Sequence, residues 1–345
     1  MSKFKYLIAI KPLGMLYGSS GAFLSPENLV GRSGNKFPPE AATLSGLFFH
    51  INRVKHQEKS EEEQKKLLQK STQNLFVAGP FWAEMKALQK VYVPIPRTRI
   101  LAKEGYDEWF LKQDGTVWDR DRDSKKRDLE PDYFWFPITE WSKKTRSIYK
   151  NNSVGKQPWE YTPILHPKME KNDRTVVSED GLFLENAVQM QEGTCLIYLS
   201  SHSIQSGWYR LGGENHIVEI ESHELKPDWA ISKLLDEKIE NKFALITPAI
   251  WGSNRLSLRH PPTSSSFPKV KQMLTDKPIP YRCSAGGRLG RGRYAVPAGT
   301  VYILEEGIGK SWSEWPSEWF PEEGYSLKQL GCSLSLPIEI QGESN

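Results

Sequence analysis

One stretch of this 345-residue chain has the pattern of a regular helix, and the rest alternates short strand-like runs with turns. In FPPEAATLSGLFFHINRVKHQ, Pro38 and Pro39 suit a helix start, and the apolar residues recur at helical spacing. This balance favours the α+β fold class. The helical stripe is Leu44, Leu47, Phe48, Ile51 and Val54, and strands are predicted at residues 6–10, 91–101, 194–200, 216–221, 243–246 and 300–304.

Two charged stretches are predicted to be exposed to solvent. EKSEEEQKKLLQKS, residues 58–71, has two leucines as its only apolar residues and is expected to be a solvated extension or a mobile insert. DRDRDSKKRDLE, residues 119–130, is expected to be a surface loop. Neither stretch is expected to carry chemistry.

Positive charge is concentrated in one part of the chain. Residues 241–304 contain ten bases and one acid, Asp276, which gives a net charge of +9, although the whole chain carries only +4. Such clustering is the electrostatic footprint of a phosphate-backbone binder, although a basic solubilising face would look the same. The bases are Lys242, Arg255, Arg259, Lys269, Lys271, Lys277, Arg282, Arg288, Arg291 and Arg293.

Two glycine-rich segments stand out. CSAGGRLGRGRY, residues 283–294, combines four glycines with three arginines and no acid, so that bare backbone and arginine forks could reach phosphate oxygens. It leads into an extended run rather than a helix, which excludes a dinucleotide-binding fingerprint. In WYRLGGENH, residues 208–216, paired glycines allow either close approach to a ligand or a sharp turn.

Three further segments have interpretable patterns. Asp180 and Gly181, between TVV and LFL, predict a hairpin turn. WSKKTRSIYKNN, residues 141–152, interleaves Trp141 and Tyr149 with bases, as single-strand nucleic-acid binders do. WSEWPSEWF, residues 312–320, has glutamates beside its rings and is assigned to packing or to a protein partner.

Several classes of protein are disfavoured. Three widely separated cysteines, Cys195, Cys283 and Cys332, suggest neither a disulfide framework nor a zinc site. Motifs for nucleotide hydrolysis, metalloprotease chemistry and serine hydrolysis are missing from the sequence. We expect no metal and no cofactor. The sequence shows no membrane span and no secretion signal, so we expect a soluble cytoplasmic protein.

The motifs together resemble the RAMP superfamily of CRISPR RNA-binding proteins, and most closely the third subunit of the type III-B (Cmr) effector complex. An N-terminal strand leads to PLG and a glycine-containing stretch. FPPEAATLSGLF is similar to the family's entry into its first helix, RLGGENH to its glycine turn, and AVPAGTVYIL to a late strand. DRTVVSEDGLFLENAVQM resembles the segment before the glycine turn.

The resemblance implies two ferredoxin-like (RRM-like) modules with insertions and a protruding β-hairpin thumb. The first would span residues 1–225, with its thumb at about residues 172–185, and the second residues 226–345 with the basic glycine-rich loop. The implied function is non-catalytic binding and capping of the 5′ handle of the CRISPR RNA in antiviral defence. The implied partners are that RNA, the large polymerase-like subunit and the backbone RAMP subunit, with target RNA met only indirectly and no membrane.

The resemblance also implies which residues meet RNA. In the thumb, Arg174 would contact phosphate, and Leu182 and Phe183 would wedge beside a base. Glu214 is expected to hydrogen-bond backbone or a base edge, because its charge repels phosphate. The remaining implied RNA-binding residues are Arg210, Gly212, Gly213, His216, Gly286, Gly287, Arg288, Arg291 and Arg293.

Three alternatives stay open. A CRISPR RNA-processing endoribonuclease of the same superfamily would use His50, on the first helix, as general acid or base. A type III-D variant of the capping subunit would differ in its N-terminal motifs, because MLYGSSGAFLSPENL lacks the expected Phe-Arg-Asp-Gly type segment. A protein of a different class would use the basic segment to dock an acidic protein partner.

Overall fold

The computed structural model describes residues 2–17, 37–112, 117–120, 129–170, 175–176, 181–213, 215–253, 256–262, 266–282, 284–285, 288–323 and 325–340. For residues 183–185, 284–285 and 288–289 it describes the backbone alone. These residues form a mixed α/β fold with many antiparallel strands and few helices, as the sequence predicts. The helices are α1 (Ala41–Lys55), α2 (Glu61–Thr72), α3 (Thr145–Lys150) and α4 (Ala230–Asp236).

The two long helices follow from local sequence. Helix α1 begins just after Pro38 and Pro39, and the predicted stripe packs inward through Leu44, Leu47 and Phe48. Helix α2 falls in the charged stretch 58–71 and buries none of its residues. The Ser60 hydroxyl caps α2 by accepting from the Glu63 amide, and three glutamates occupy its first turn. The charged stretch is therefore a solvated helix.

A seven-stranded antiparallel sheet forms the first half of the chain, in the order β12-β13-β1-β11-β3-β4-β8. Its strands include the predicted runs 6–10, 194–200 and 216–221. The strands of the first half are β1 (Tyr6–Pro12), β2 (Leu16–Tyr17), β3 (Val77–Glu84), β4 (Tyr92–Pro94), β5 (Arg99–Leu101), β6 (Tyr106–Leu111), β7 (Trp118–Arg120), β8 (Trp135–Pro137), β9 (Trp159–Pro167), β10 (Leu182–Met190), β11 (Thr194–Ser200), β12 (Gly207–Leu211) and β13 (His216–Glu224).

A four-stranded antiparallel sheet, in the order β17-β22-β14-β23, forms the second half. It contains the predicted runs 243–246 and 300–304 as β14 and β22. The strands of this half are β14 (Lys242–Leu245), β15 (Trp251–Gly252), β16 (Ser257–Leu258), β17 (Val270–Leu274), β18 (Ile279–Tyr281), β19 (Ser284–Ala285), β20 (Arg288–Leu289), β21 (Arg293–Ala295), β22 (Val301–Leu304) and β23 (Ser335–Pro337).

The two halves share one strand order. In the first half, β13-β1-β11-β3 places the fourth, first, third and second central strands side by side, and in the second half β23-β14-β22-β17 does the same. In both halves a β-hairpin is inserted between the second and third of these strands. The inserts are β9–β10 in the first half and the β18–β21 region in the second, so the two hairpins are topological equivalents.

The sheet of the first half is buried on both faces because its strands alternate side chains between two hydrophobic clusters. One face, with Ile8 and Ile10, packs on α1. The other, with Leu7 and Ala9, packs on the second half, including β14 and the tryptophan-rich segment 312–320. Trp312, Trp315 and Trp319 are buried there, so the predicted packing role of that segment is confirmed.

Two segments differ from their predicted structures. Trp141 was expected beside bases on a nucleic-acid surface, but it is buried and its indole N–H donates to the Pro337 carbonyl at 2.7 Å. Residues 119–120 of the predicted surface loop belong to β7, and Arg120 reaches Asp107, which is 3% exposed, at 2.7 Å. In both cases a partner distant in sequence compensates the polar group on burial.

Candidate functional site

Strands β9 and β10 form a hairpin, as the sequence predicts, but the predicted position of its turn is wrong. Leu182 pairs with Pro167, the Lys168 amide donates to the Gly181 carbonyl, and Met169 bridges Val176. Residues 159–170 therefore form one arm, and the described residues of the other arm are 175–176 and 181–190. TVV and LFL are therefore not opposite arms of a hairpin, because Val176 and Leu182 both pair with the β9 arm, while Asp180 lies outside the described residues.

One end of this hairpin is buried in the core, and its other end exposes apolar side chains to solvent. Leu165, Met169, Val176 and Leu182 are 59%, 47%, 49% and 53% exposed. Leu182 is thus available to a ligand. The backbone of Phe183 pairs with His166, while Arg174 lies outside the described residues.

The glycine turn joins β12 to β13. Leu211 pairs with His216, the Asn215 amide donates to the Gly212 carbonyl at 3.3 Å, and Glu214 lies outside the described residues. Gly212 has φ +72°, a left-handed conformation that favours glycine. Gly213 is exposed and a Cβ there would meet nothing within 4 Å, so its backbone is open to a ligand.

His216 connects this turn to the hairpin through Tyr17. The Tyr17 amide donates to Nε2 of His216 at 3.0 Å, and the two rings stack with centroids 5.6 Å apart. On β2, Tyr17 pairs with Ala187 of β10, and its ring contacts His166 edge-on at 5.9 Å. Tyr17 was missed by the sequence interpretation, since nothing in the PLG segment marks it as a link.

The predicted basic loop is a β-hairpin. Strand β18 pairs with β21, and further out Ser284 pairs with Leu289 and Ala285 with Arg288. Gly286 and Gly287, between Ala285 and Arg288, lie outside the described residues. Cys283 also lies outside the described residues.

Arg293 is placed differently from the expectation. It is 7% exposed, its Nε and Nη2 donate to Oε1 of Glu323 at 3.0 and 2.5 Å, and its Nη1 donates to the Ser253 carbonyl at 2.6 Å. A buried guanidinium engaged in this way cannot grip a phosphate. We therefore correct its predicted role from RNA contact to attachment of β21 to residues 253 and 323.

The exposed surface of the basic hairpin still combines an aromatic ring with bases. Tyr294 is 61% exposed, and it pairs with Pro280, two residues before Arg282. Arg282 and Arg291 are exposed, and Nε of Arg282 donates to the Gly290 carbonyl at 2.6 Å. Arg282 and Tyr294 were not among the predicted site residues. An aromatic face beside guanidinium groups suits single-stranded nucleic acid.

The acid of the basic segment is neutralised by another part of the chain. Asp276 pairs with Arg97 at 3.0 Å. Lys269, by contrast, is held by Glu305 at 2.6 Å, so not every base of the segment adds to its field equally. Among the bases of the segment whose side chains the structure describes, the exposed ones are Arg259, Lys269, Lys271, Lys277, Arg282 and Arg291.

The β9–β10 hairpin, the glycine turn and the basic hairpin all pack against one hydrophobic cluster. It receives Val188 from the β9–β10 hairpin, Leu211 and Val218 from the glycine-turn strands, and Tyr281 and Ala295 from the basic hairpin. The same cluster packs on α1, whose His50 has an exposed side chain that makes no hydrogen bond to a described residue. Thus residues far apart in sequence are carried by elements that share a foundation, while Arg210 lies on the opposite, outward face of β12.

Two negative observations bound the chemistry of the described residues. Within that part of the chain, no three His, Cys, Asp or Glu side chains are grouped so as to hold a metal ion. None of the helices described is long and apolar enough to cross a membrane.

The chain is a mixed α/β protein of the RAMP type, with two sheets of the same strand order and a hairpin inserted into each. The sequence then gives the family, because the CRISPR-associated protein family (Cas_Cmr3) matches residues 25–334. The chain belongs to this family and is a component of type III CRISPR-Cas effector complexes. No curated protein matches the sequence significantly.

Solved structures contain chains similar to this one. A chain of the Type III-B Cmr-beta bound to cognate target RNA is 14% identical to this one, with a TM-score of 0.46, and the alignment covers 86% of both chains. With target RNA and AMPPnP bound (state 1), the corresponding values are 13%, 86% of each chain and 0.48. A chain of the Csm3-Csm4 subcomplex in the type III-A CRISPR-Cas interference complex is 12% identical, covers 88% of this chain and 94% of its own length, and has a TM-score of 0.42.

Proposed function

We propose that this protein is the non-catalytic subunit that binds and caps the 5′ handle of the CRISPR RNA. In the same role it joins the large polymerase-like subunit to the backbone subunits of the effector complex. The single observation that carries the proposal is the shared foundation of the β9–β10 hairpin, the glycine turn and the basic hairpin in one hydrophobic cluster. These are the three regions to which the family resemblance assigns RNA contacts.

The strand order supports two ferredoxin-like modules, approximately residues 1–225 and 226–345. A fourth-first-third-second arrangement of antiparallel strands is the order of that fold, and it occurs in both halves. The β9–β10 hairpin is then the thumb, and the basic hairpin is its counterpart in the second module. The first module departs from the ideal fold because β12 follows β11 where a second helix would lie, and in the second module the described residues between β22 and β23 form only two short 3-10 helices, Trp312–Glu314 and Ser317–Trp319.

The chemistry of each region fits one feature of a single RNA strand. Leu182, exposed on the thumb, offers an apolar wedge, and displacing a base costs a few kcal/mol that such contacts offset. Gly212 and Gly213 offer open backbone, and His216 holds the turn against Tyr17. In the basic hairpin, Gly286, Gly287, Arg288 and Arg291 are the proposed phosphate contacts, with Arg174 at the thumb and Arg210 on β12.

Nuclease protection of the handle in reconstituted complexes tests this proposal. Complexes of the large subunit, the backbone subunit and CRISPR RNA are assembled with and without this chain, and the RNA is probed nucleotide by nucleotide. We expect the handle to be protected only when the chain is present, and the large subunit to co-purify with the backbone subunit only then. Equal protection without the chain would contradict the capping role.

The endoribonuclease alternative is distinguished in the same preparation. We expect the isolated chain to leave a CRISPR RNA precursor intact, and His50→Ala to protect the handle as the wild type does. Cleavage of the precursor that disappears in His50→Ala would replace the capping proposal with the processing enzyme.

A further inference from the structure

The most exposed large apolar side chain among the described residues is Trp208, at 73% exposure. It lies on β12, the edge strand of the seven-stranded sheet, at the start of the WYRLGGENH segment, and no role has been assigned to it above. Along β12, Tyr209 and Leu211 lie on the other face, where Leu211 is 3% exposed in the hydrophobic cluster. The outward face therefore presents Trp208 and, two residues later, Arg210.

The cross-strand pairs define what surrounds the indole. Trp208 pairs with Glu219 and Arg210 with Ile217. Glu219 is engaged by Lys11 at 3.4 Å, which offsets its negative charge beside the ring. Arg210 is exposed, and no hydrogen bond or ion pair joins its side chain to another described residue. An exposed aromatic ring therefore lies beside an available guanidinium, and the acid that pairs across the strands with Trp208 is already engaged by Lys11.

The spacing of these two groups suits one nucleotide. Alternate residues of a strand lie about 7 Å apart on the same face. A base stacked on Trp208 could therefore place an adjoining phosphate near Arg210, and the next two residues, Leu211 and Gly212, lead straight into the glycine turn. Base stacking on aromatic rings with arginine on the backbone is the chemistry of single-strand binding.

A protein partner fits this face less well. The apolar surface beside Trp208 comes from Ile217, 45% exposed, and Leu13, 43% exposed, whose amide donates to the Ile217 carbonyl. Three partly exposed side chains offer far less than the ~800 Å² per partner of a stable protein interface. The patch is closer in size to one nucleobase.

We propose that Trp208 stacks an unpaired base of the CRISPR RNA while Arg210 holds its phosphate, which makes the outward face of β12 an additional subsite. This inference rests on the proposed function and extends it to a residue that the family resemblance does not assign to RNA. The subsite accepts any base, because every base offers a π-face, and it fixes the path of the RNA beside the glycine turn.

The test compares Trp208→Phe and Trp208→Leu in binding CRISPR RNA that carries 2-aminopurine at successive handle positions. Stacking on an aromatic ring corresponds to about a 5- to 150-fold change in affinity, so Trp208→Leu is expected to weaken binding within that range. Trp208→Phe should retain most of the affinity. Quenching of 2-aminopurine at one position should occur with the wild type and Trp208→Phe but not with Trp208→Leu.

Each other outcome has a defined meaning. Wild-type affinity and quenching in Trp208→Leu, together with weakened binding by Arg288→Ala/Arg291→Ala, would overturn the stacking subsite and leave the capping role standing. Unchanged RNA binding with loss of co-purification of the large or backbone subunit would make this face a protein interface, which also overturns the proposal. If the wild type does not bind the RNA, the subsite and the proposed function fall together. Ile217→Ala, which alters a neighbour without removing the ring, serves as the matched control.

Discussion

The corrected role of Arg293 gives a prediction that separates stability from RNA binding. Its side chain and that of Glu323 are 5% and 17% exposed, and the arginine also donates to the Ser253 carbonyl. Breaking a buried ion pair by removing one partner costs 3–5 kcal/mol, and the partial exposure of Glu323 places Arg293→Met near the lower end, at about 3 kcal/mol. At the usual unfolding entropy per residue, this lowers the melting temperature by about 4 °C.

The assay is thermal unfolding together with RNA affinity measured well below the transition. We expect Arg293→Met to melt earlier but to bind CRISPR RNA as the wild type does, while Arg291→Ala, on the exposed side of the same hairpin, does the reverse. The double variant Arg293→Met/Glu323→Leu should recover part of the loss, because it removes the unpaired carboxylate as well. An unchanged melting temperature with weakened RNA binding in Arg293→Met would refute the structural role.

Three further predictions follow from the described geometry. Gly212→Ala, at φ +72°, should lower the free energy of unfolding by about 1 kcal/mol, whereas Gly213→Ala should leave the denaturant midpoint unchanged; equal effects would contradict the turn geometry. Burial lowers the pKa of Lys328 to about 8 from 10.5, so the unfolded chain binds more protons between those values. The free energy of unfolding of the wild type should therefore rise relative to Lys328→Met from about pH 8 to 10.5, and a pH-independent difference would count against the shift. Burial also raises the pKa of the Cys195 thiol to about 12, so alkylation at pH 8 should require unfolding, and rapid labelling of the native chain would contradict its placement.

Local patterns predicted the elements that depend on local interactions. Residues 194–200 form β11 because an apolar run between turn residues is buried on both faces of a sheet. Helix α1 was likewise predictable from Pro38, Pro39 and the apolar stripe, whose Leu44, Leu47 and Phe48 pack into the core. In each case the residues that set the structure are neighbours in sequence.

The wrong predictions concern residues whose structure is set by a partner distant along the chain. Asp180 and Gly181 have the composition of a turn, but the long pairing of β10 with β9 sets the register. Arg293 resembles its neighbouring arginines in sequence, and nothing in the glycine-rich segment indicates that Glu323, thirty residues later, takes its guanidinium. The period-two alternation of Trp208 and Arg210 with Tyr209 and Leu211 was a usable signal for an exposed face.

The central claim is tested most directly by binding of labelled CRISPR RNA, with and without its 5′ handle, across a salt series. The wild type and Arg288→Ala/Arg291→Ala are compared, each alone and with the backbone subunit. The account predicts handle-dependent binding for the wild type, with lower affinity and a shallower salt dependence in the variant, since fewer phosphates are neutralised. Handle-independent binding, or a variant with the affinity and salt slope of the wild type, would contradict it.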